Sequence, residues 1–170
     1  MKTFREFIIE CVEIEESSMT RLKSQSDKGG TAVMSASRGN LSSKENRARA
    51  KKLDRDIRGK FGKGATKVTG KYDEKDEKTG QTKRVKERSH VIQSGKMGKR
   101  KFKKAVKSLG KKYGQDSVIT QQKGDKGATL KRTRKGGLPK RNIKLGKMRP
   151  GRSGENETQK KGKTFTYDPK

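Results

Sequence analysis

The stretch "KRKFKKAVKSLGKKY", residues 99–113, is the clearest helix in this sequence. Apolar side chains recur with helical spacing on one face: Phe102, Ala105, Val106, Leu109 and Tyr113. The other positions are almost all basic: Lys99, Arg100, Lys101, Lys103, Lys104, Lys107, Lys111 and Lys112. No acidic residue lies between positions 95 and 115. This pattern predicts a helix that packs its apolar face on a core and presents only positive charge on the opposite face.

The elements around this helix predict a small α+β domain over residues 42–135. A second helix, 43–58, begins with the capping-box pattern Ser42–Glu45 and ends at Gly59. A β-hairpin follows, with strands at 65–73 and 85–94. After residues 99–113, "QDSVITQQ" and "ATLKRT" are typical of two further strands. The expected order is therefore α-β-β-α-β-β.

Three flanking segments differ from this domain in composition. Residues 1–16 predict an amphipathic helix, because Phe4, Phe7, Ile8 and Cys11 fall on one face. Residues 17–41 are rich in Ser and Gly and indicate a flexible linker. Residues 136–170 are rich in Gly, Lys and Arg and indicate a disordered basic tail.

The charge of the chain points to polyanionic partners. The 170 residues include 48 Lys and Arg against 19 Asp and Glu, a formal net charge of +29. Such a charge attracts nucleic acid first and anionic membrane surfaces second. No run approaches the roughly 20 apolar residues of a membrane span. One Cys and one His cannot form a disulfide or a Cys/His zinc site, so the sequence predicts no metal and no cofactor.

The basic helix face is the expected contact with double-stranded DNA. Each Lys or Arg that meets a phosphate releases counterions, and this binding needs no particular base sequence. The sequence shows no helix-turn-helix, finger or homeodomain pattern that would read bases. The eight basic residues from Lys99 to Lys112 are therefore predicted to bind DNA non-specifically.

Residue patterns typical of enzymes are weak, and the sequence predicts a protein without catalytic activity. His90 and Glu87 could form a general acid–base pair, but the sequence favours the simpler interpretation of His90 as a strand histidine on a half-exposed face. Four acidic residues could bind a divalent cation or form a solvated turn: Asp73, Glu74, Asp76 and Glu77. The segments "GKGATK" and "GKMGKRK" lack the spacing of a phosphate-binding loop.

The first ten residues, "MKTFREFIIE", resemble the capsid-targeting peptide of the internal head proteins of T-even-like tailed phages. The resemblance implies that Phe4, Phe7 and Ile8 dock on the prohead scaffolding core. It also implies removal by the prohead protease, whose aliphatic–any–Glu pattern occurs twice, at Ile8 to Glu10 and at Ile14 to Glu16. The choice between these sites stays open. The region from "SKENRARAKKLDRDIRG" to "KRTRKGG" resembles small uncharacterised proteins of T-even-like cyanophages.

Together these observations predict an internal head protein of a bacteriophage virion. It would lie with packaged DNA in the head and enter the host cytoplasm at infection. One alternative is an inhibitor of a host defence or nucleic-acid enzyme, with a host protein as its partner. Others are an RNA- or ribosome-associated protein and a nuclease that uses His90 or Asp116.

Overall fold

Eight antiparallel strands form a closed barrel in the computed structural model of the chain. The structure describes residues 20–75, 79–135, 140–152, 157–160 and 162–168. The strands are β1 (Thr31–Ser35), β2 (Thr66–Lys75), β3 (Thr82–Gln93), β4 (Ser117–Gln121), β5 (Ala128–Arg132), β6 (Ile143–Pro150), β7 (Glu157–Lys160) and β8 (Lys163–Asp168). Their order around the barrel is β1-β3-β2-β7-β8-β6-β5-β4, and the pairing of β1 with β4 closes it. Closure leaves no free edge between neighbouring strands.

Three helices accompany the barrel: α1, described over 20–28, α2 (Ser43–Phe61) and α3 (Lys99–Lys112). The side chain and backbone of Ser42 exchange hydrogen bonds with Glu45, so the capping box at the start of α2 is confirmed. The helix does not stop at Gly59. It ends at Gly62, whose φ of 68° gives the left-handed cap that a glycine adopts without strain.

Strand β1 separates two apolar cores because its side chains alternate between the two faces of the sheet. Ala32 and Met34 face outward and pack with α2 and α3 through Leu53, Phe102 and other buried side chains. Val33 faces inward, where Leu22, Val68, Val91, Met148 and Phe165 fill the barrel. Both faces of β1 are therefore buried, although its sequence, TAVMS, is short and only partly apolar.

Helix α1 closes one end of the barrel. Its Leu22 reaches the interior cluster. The Ser26 hydroxyl donates a hydrogen bond of 2.9 Å to the side-chain carbonyl of Gln121, at the end of β4. Gln25 accepts a hydrogen bond from Gln93, at the end of β3. The opposite end, where β1 ends and β4 begins, stays open.

The predicted fold class is wrong. The hairpin of β2 and β3 and the strands β4 and β5 lie where the sequence predicts them, but they are half of a barrel rather than a complete small α+β domain. The missing strands come from the expected linker and tail. Strand β1 lies within 17–41, and β6, β7 and β8 lie within 136–170. Barrel strands with one solvated face alternate Lys with apolar residues, so their amino-acid composition resembles that of a disordered segment.

Helices in the described part of the chain include none long and apolar enough to cross a membrane. The expected leader helix, 1–16, lies outside the described residues.

Candidate functional site

The open end of the barrel contains a cavity of about 360 Å³. Its wall is apolar on one side, where Val33, Ile119, Leu130 and Leu145 contribute side chains. Polar groups line the remainder: Ser35, Lys71, Glu87, Ser89, Gln115, Ser117, Thr158 and Tyr167. A volume of this size falls within the roughly 300–1,000 Å³ of small-molecule sites, which combine apolar walls with a few convergent polar groups.

The strand register explains how these polar groups meet. On β3, Glu87 and Ser89 share the inward face because residues two apart point to the same side. Glu87 pairs with Gly70 on β2, and Gly70 pairs with Thr158 on β7. A Cβ atom added at Gly70 would lie 3.1 Å from the Ser89 hydroxyl oxygen. The glycine therefore leaves open the space between three polar side chains.

Ser35 and Tyr167 both line the cavity. The Ser35 hydroxyl donates a hydrogen bond to the Arg88 carbonyl and accepts one from the Ser37 backbone N–H, each at 3.0 Å. The Tyr167 ring meets the Phe165 ring edge-on, with 5.9 Å between centroids and 86° between planes. Burial raises the pKa of the Tyr167 phenol, so the hydroxyl stays protonated at neutral pH.

Among the described residues that line this cavity, Glu87 supplies the only carboxylate. A carboxylate and an aromatic ring both attract cations. The apolar wall suits a flat ring system. With Lys71 in the same lining, the cavity offers one group of each charge beside an apolar wall, so it can accommodate a ligand with a flat ring and both positive and negative groups.

A second cleft, of about 420 Å³, lies outside the barrel between α2 and strands β2 and β3. Its lining includes Lys51, Lys67, Arg88 and Lys160. It is larger than the barrel cavity, but its basic lining would repel a cationic ligand. We therefore take the barrel cavity as the candidate site.

The structure does not bring His90 and Glu87 together, because residues three apart on a strand point to opposite faces. His90 lines the outer cleft and is only 2% exposed, which rules out the half-exposed strand position as well. Burial lowers its pKa, although the Asp54 carboxylate opposes the effect. His90 is therefore neutral at pH 7, and its Nδ1 has no hydrogen-bond partner within the described structure.

The other sequence candidates for chemistry lie apart from the cavity. The Asp116 carboxylate accepts a hydrogen bond of 2.6 Å from Arg134 Nε, so it serves an ion pair at the surface. The side chains of Asp73, Glu74, Asp76 and Glu77 fall outside the described ones. Across the described ranges, no group of three or more His, Cys, Asp or Glu side chains could hold a metal ion.

The eight basic residues of α3 are all exposed, while Phe102, Val106 and Leu109 face the core. The ammonium group of Lys112 forms an ion pair of 2.8 Å with Asp56, which also accepts a hydrogen bond of 2.6 Å from the Tyr113 hydroxyl. DNA binding by this face stays a prediction. So do the roles of the leader residues Phe4, Phe7, Ile8, Glu10, Ile14 and Glu16, which lie outside the described part.

Sequence reasoning missed most of the cavity. Ser35 lies in the expected linker, and Thr158 and Tyr167 lie in the expected tail. One signal was available in "KTFTYD", residues 163–168, where Phe165 and Tyr167 alternate with polar residues as on a half-buried strand.

Comparison with known proteins identifies a family. The model of the S-Adenosylmethionine lyase family matches residues 32–170. Among solved structures, the chain is similar to a phage SAM lyase in complex with S-methyl-5'-thioadenosine, at 21% identity and a TM-score of 0.37. That similarity covers 58% of this chain and 84% of the other. No curated protein matches the chain.

The family match corrects two sequence-based predictions. The prediction of a DNA-associated internal head protein is wrong, and so is the prediction of a protein without catalytic activity, since the matched family is one of enzymes. The host-enzyme inhibitor and the RNA-associated protein, offered as alternatives, fall with them. The match extends from β1 through β8 and so includes every strand that lines the cavity. The chain belongs to the S-Adenosylmethionine lyase family.

Proposed function

We propose that this protein is a lyase that cleaves S-adenosylmethionine at a carbon–sulfur bond inside the barrel cavity. The observation that carries the proposal is the family match over residues 32–170, the segment that builds the cavity. The cavity's chemistry is compatible with this proposal, because its lining combines an apolar wall with one carboxylate and one ammonium group.

Each part of S-adenosylmethionine can be matched to one part of the cavity lining. The adenine ring is flat and apolar on its faces, and it suits the wall formed by Val33, Ile119 and Leu130. The sulfonium group is a cation that cannot lose its charge by deprotonation. We assign its electrostatic partner as Glu87, with the Tyr167 ring as a second attractive surface. Lys71, at the rim, suits the substrate carboxylate.

A lyase breaks the carbon–sulfur bond without adding water, and this excludes hydrolysis as the reaction route. In the route we favour, an oxygen of the substrate carboxylate attacks the γ-carbon of the methionine chain. A carbon–oxygen bond forms, the γ-carbon–sulfur bond breaks, and its electron pair passes to sulfur. The products are a neutral thioether, methylthioadenosine, and the lactone of homoserine. No proton is transferred, so the cavity has to orient the chain and exclude water.

A second balanced route is elimination, in which a base removes a β-proton and an alkene forms instead of a lactone. Glu87 would then be the base. The two routes differ in their four-carbon product, and mass spectrometry distinguishes them. A lactone supports the electrostatic role of Glu87, whereas vinylglycine assigns it proton abstraction.

The first prediction concerns Glu87→Gln, assayed by the release of methylthioadenosine from S-adenosylmethionine. Loss of the charge should lower kcat/KM by roughly 100-fold, because a desolvated charge pair is worth several kcal/mol. Asp27→Asn is the matched control, since Asp27 is an exposed carboxylate that pairs with Lys23 on α1. Full activity in Glu87→Gln would reject the assigned site, and no methylthioadenosine from the unmodified protein would reject the proposed function.

A further inference from the structure

A small cleft of about 170 Å³ lies on the outside of the barrel, between α3 and strands β4 and β5. Its polar lining comes from four parts of the chain: Lys103, Lys107, Thr120, Lys131, Arg132 and Asn142. On β4, Ile119 lines the barrel cavity while its neighbour Thr120 lines this cleft. The cleft is therefore on the opposite face of the strand from the candidate active site.

The floor of the cleft contains a buried hydroxyl without a partner. Thr120 is only 2% exposed, and its Oγ1 forms no hydrogen bond within the described structure. A buried polar atom that is left unsatisfied costs roughly 1–3 kcal/mol. A ligand that accepts a hydrogen bond from Thr120 would remove this cost.

Positive charge is crowded around the same hydroxyl. Lys131 on β5 and Lys103 on α3 both line the cleft, and their charges interact. Burial, and then the neighbouring Lys103, lowers the pKa of Lys131, and the Asp125 carboxylate opposes only part of this effect. Arg132 Nη1 donates a hydrogen bond of 2.8 Å to the Lys140 carbonyl, which holds the guanidinium group in place. Like charges held this close repel each other unless an anion separates them.

We propose that this cleft is a binding site for a phosphate group. A tetrahedral dianion presents several acceptor oxygens, which match the Thr120 hydroxyl and the ammonium groups of the lysines that line the cleft. The volume of about 170 Å³ accepts one phosphate group but leaves no room for a nucleoside. The ligand is thus either free phosphate or the terminal phosphate of a nucleotide whose remainder stays in solvent.

Isothermal titration of the full chain with inorganic phosphate, at constant ionic strength, tests the site. The isosteric variant Thr120→Val removes only the hydroxyl, so it should bind phosphate about tenfold more weakly. Its melting temperature without phosphate should be equal or higher, because the unsatisfied group is gone. Lys131→Gln should show a similar loss of affinity. Lys101→Gln is the control, because Lys101 is exposed on α3 and is not part of the cleft.

Equal affinity in Thr120→Val and the unmodified protein would overturn the proposal. So would an equal loss in Lys101→Gln, because binding would then follow the general charge of α3 rather than the cleft. A titration with ADP identifies the source of the phosphate. Tighter binding of ADP than of inorganic phosphate, with the same loss in Thr120→Val, assigns a nucleotide phosphate, and weaker binding of ADP assigns the free ion.

Discussion

At the scale of single residues, Gly70 determines how much room the cavity offers. It lies opposite both Glu87 and Thr158, and its side-chain direction points toward the Ser89 hydroxyl. Its φ is not in the left-handed region, so the backbone accepts another residue there. The lack of a side chain at this position therefore keeps the cavity open. The backbone conformation does not require a glycine there.

The variant Gly70→Val should fill part of the cavity without unfolding the barrel. We expect KM for S-adenosylmethionine to rise by about tenfold or more, since lost contacts of 1.4 kcal/mol correspond to that factor. Steady-state kinetics and circular dichroism measure the two effects. Gly39→Ala is the control, because no atom lies within 4 Å of its added Cβ. Unchanged KM in Gly70→Val would place the substrate elsewhere.

Residue-level reasoning from sequence reached only part of this site. The sequence shows Glu87 as an acidic residue near His90. The predicted pairing of these two residues assumed that both side chains lie on one face of the strand. Strand alternation separates them. Ser35, Thr158 and Tyr167 are brought to Glu87 by pairings between strands far apart in the chain. No local pattern encodes such pairings, so the cavity could not be assembled without the strand order.

At the scale of elements, local signals predicted α2, α3 and the central hairpin well, but they missed α1, which lies in the expected linker 17–41. The capping box at Ser42 and the apolar face of α3 depend on neighbours within one or two turns. Strand β6 shows the opposite case. Its sequence, IKLGKMRP, alternates Lys with apolar residues, and its backbone is satisfied only by β5 and β8. Its identity as a strand thus depends on the rest of the barrel.

Two glycine-to-alanine variants should change stability in opposite directions. Gly59 is exposed inside α2 with no atom near its added Cβ, so Gly59→Ala should stabilise the protein by roughly 0.5–1 kcal/mol. At Gly127, a Cβ would lie 2.5 Å from the Gly146 carbonyl carbon and oxygen, next to the irregular pairing of β5 with β6. Gly127→Ala should therefore destabilise by about 1–3 kcal/mol.

Urea unfolding of both variants measures these differences. The pair is informative because the substitution is the same and only the surroundings differ. Similar changes in both variants would contradict the close approach of β5 and β6.

At the scale of the whole molecule, the net charge of +29 opposes the entry of a cationic substrate. S-adenosylmethionine carries a net positive charge at neutral pH. The carboxylate of Glu87 acts at short range, whereas the repulsion from the surface acts over a Debye length. Composition therefore indicated polyanions, whereas the substrate that we propose is a cation, and this contrast is why charge alone predicted the wrong function.

Salt should consequently raise kcat/KM for S-adenosylmethionine. Added NaCl, from about 20 to about 200 mM, screens the surface repulsion but has less effect on a desolvated contact at Glu87. Initial rates at low substrate concentration provide the measurement. Phosphate binding at the cleft between α3 and strands β4 and β5 should weaken over the same range, because that contact is an attraction. A fall in kcat/KM with salt would contradict the repulsion.

The closure of the barrel also constrains when the chain can fold during translation. Hairpin β7–β8 lies between β2 and β6, so these two strands keep unpaired edges until residue 168 has left the ribosome. Unpaired edges invite pairing with other chains, and distant strand pairings form slowly. The nascent polypeptide must therefore be synthesised nearly to residue 168 before its barrel can close. Faster synthesis shortens the interval in which neighbouring nascent chains can aggregate through these edges.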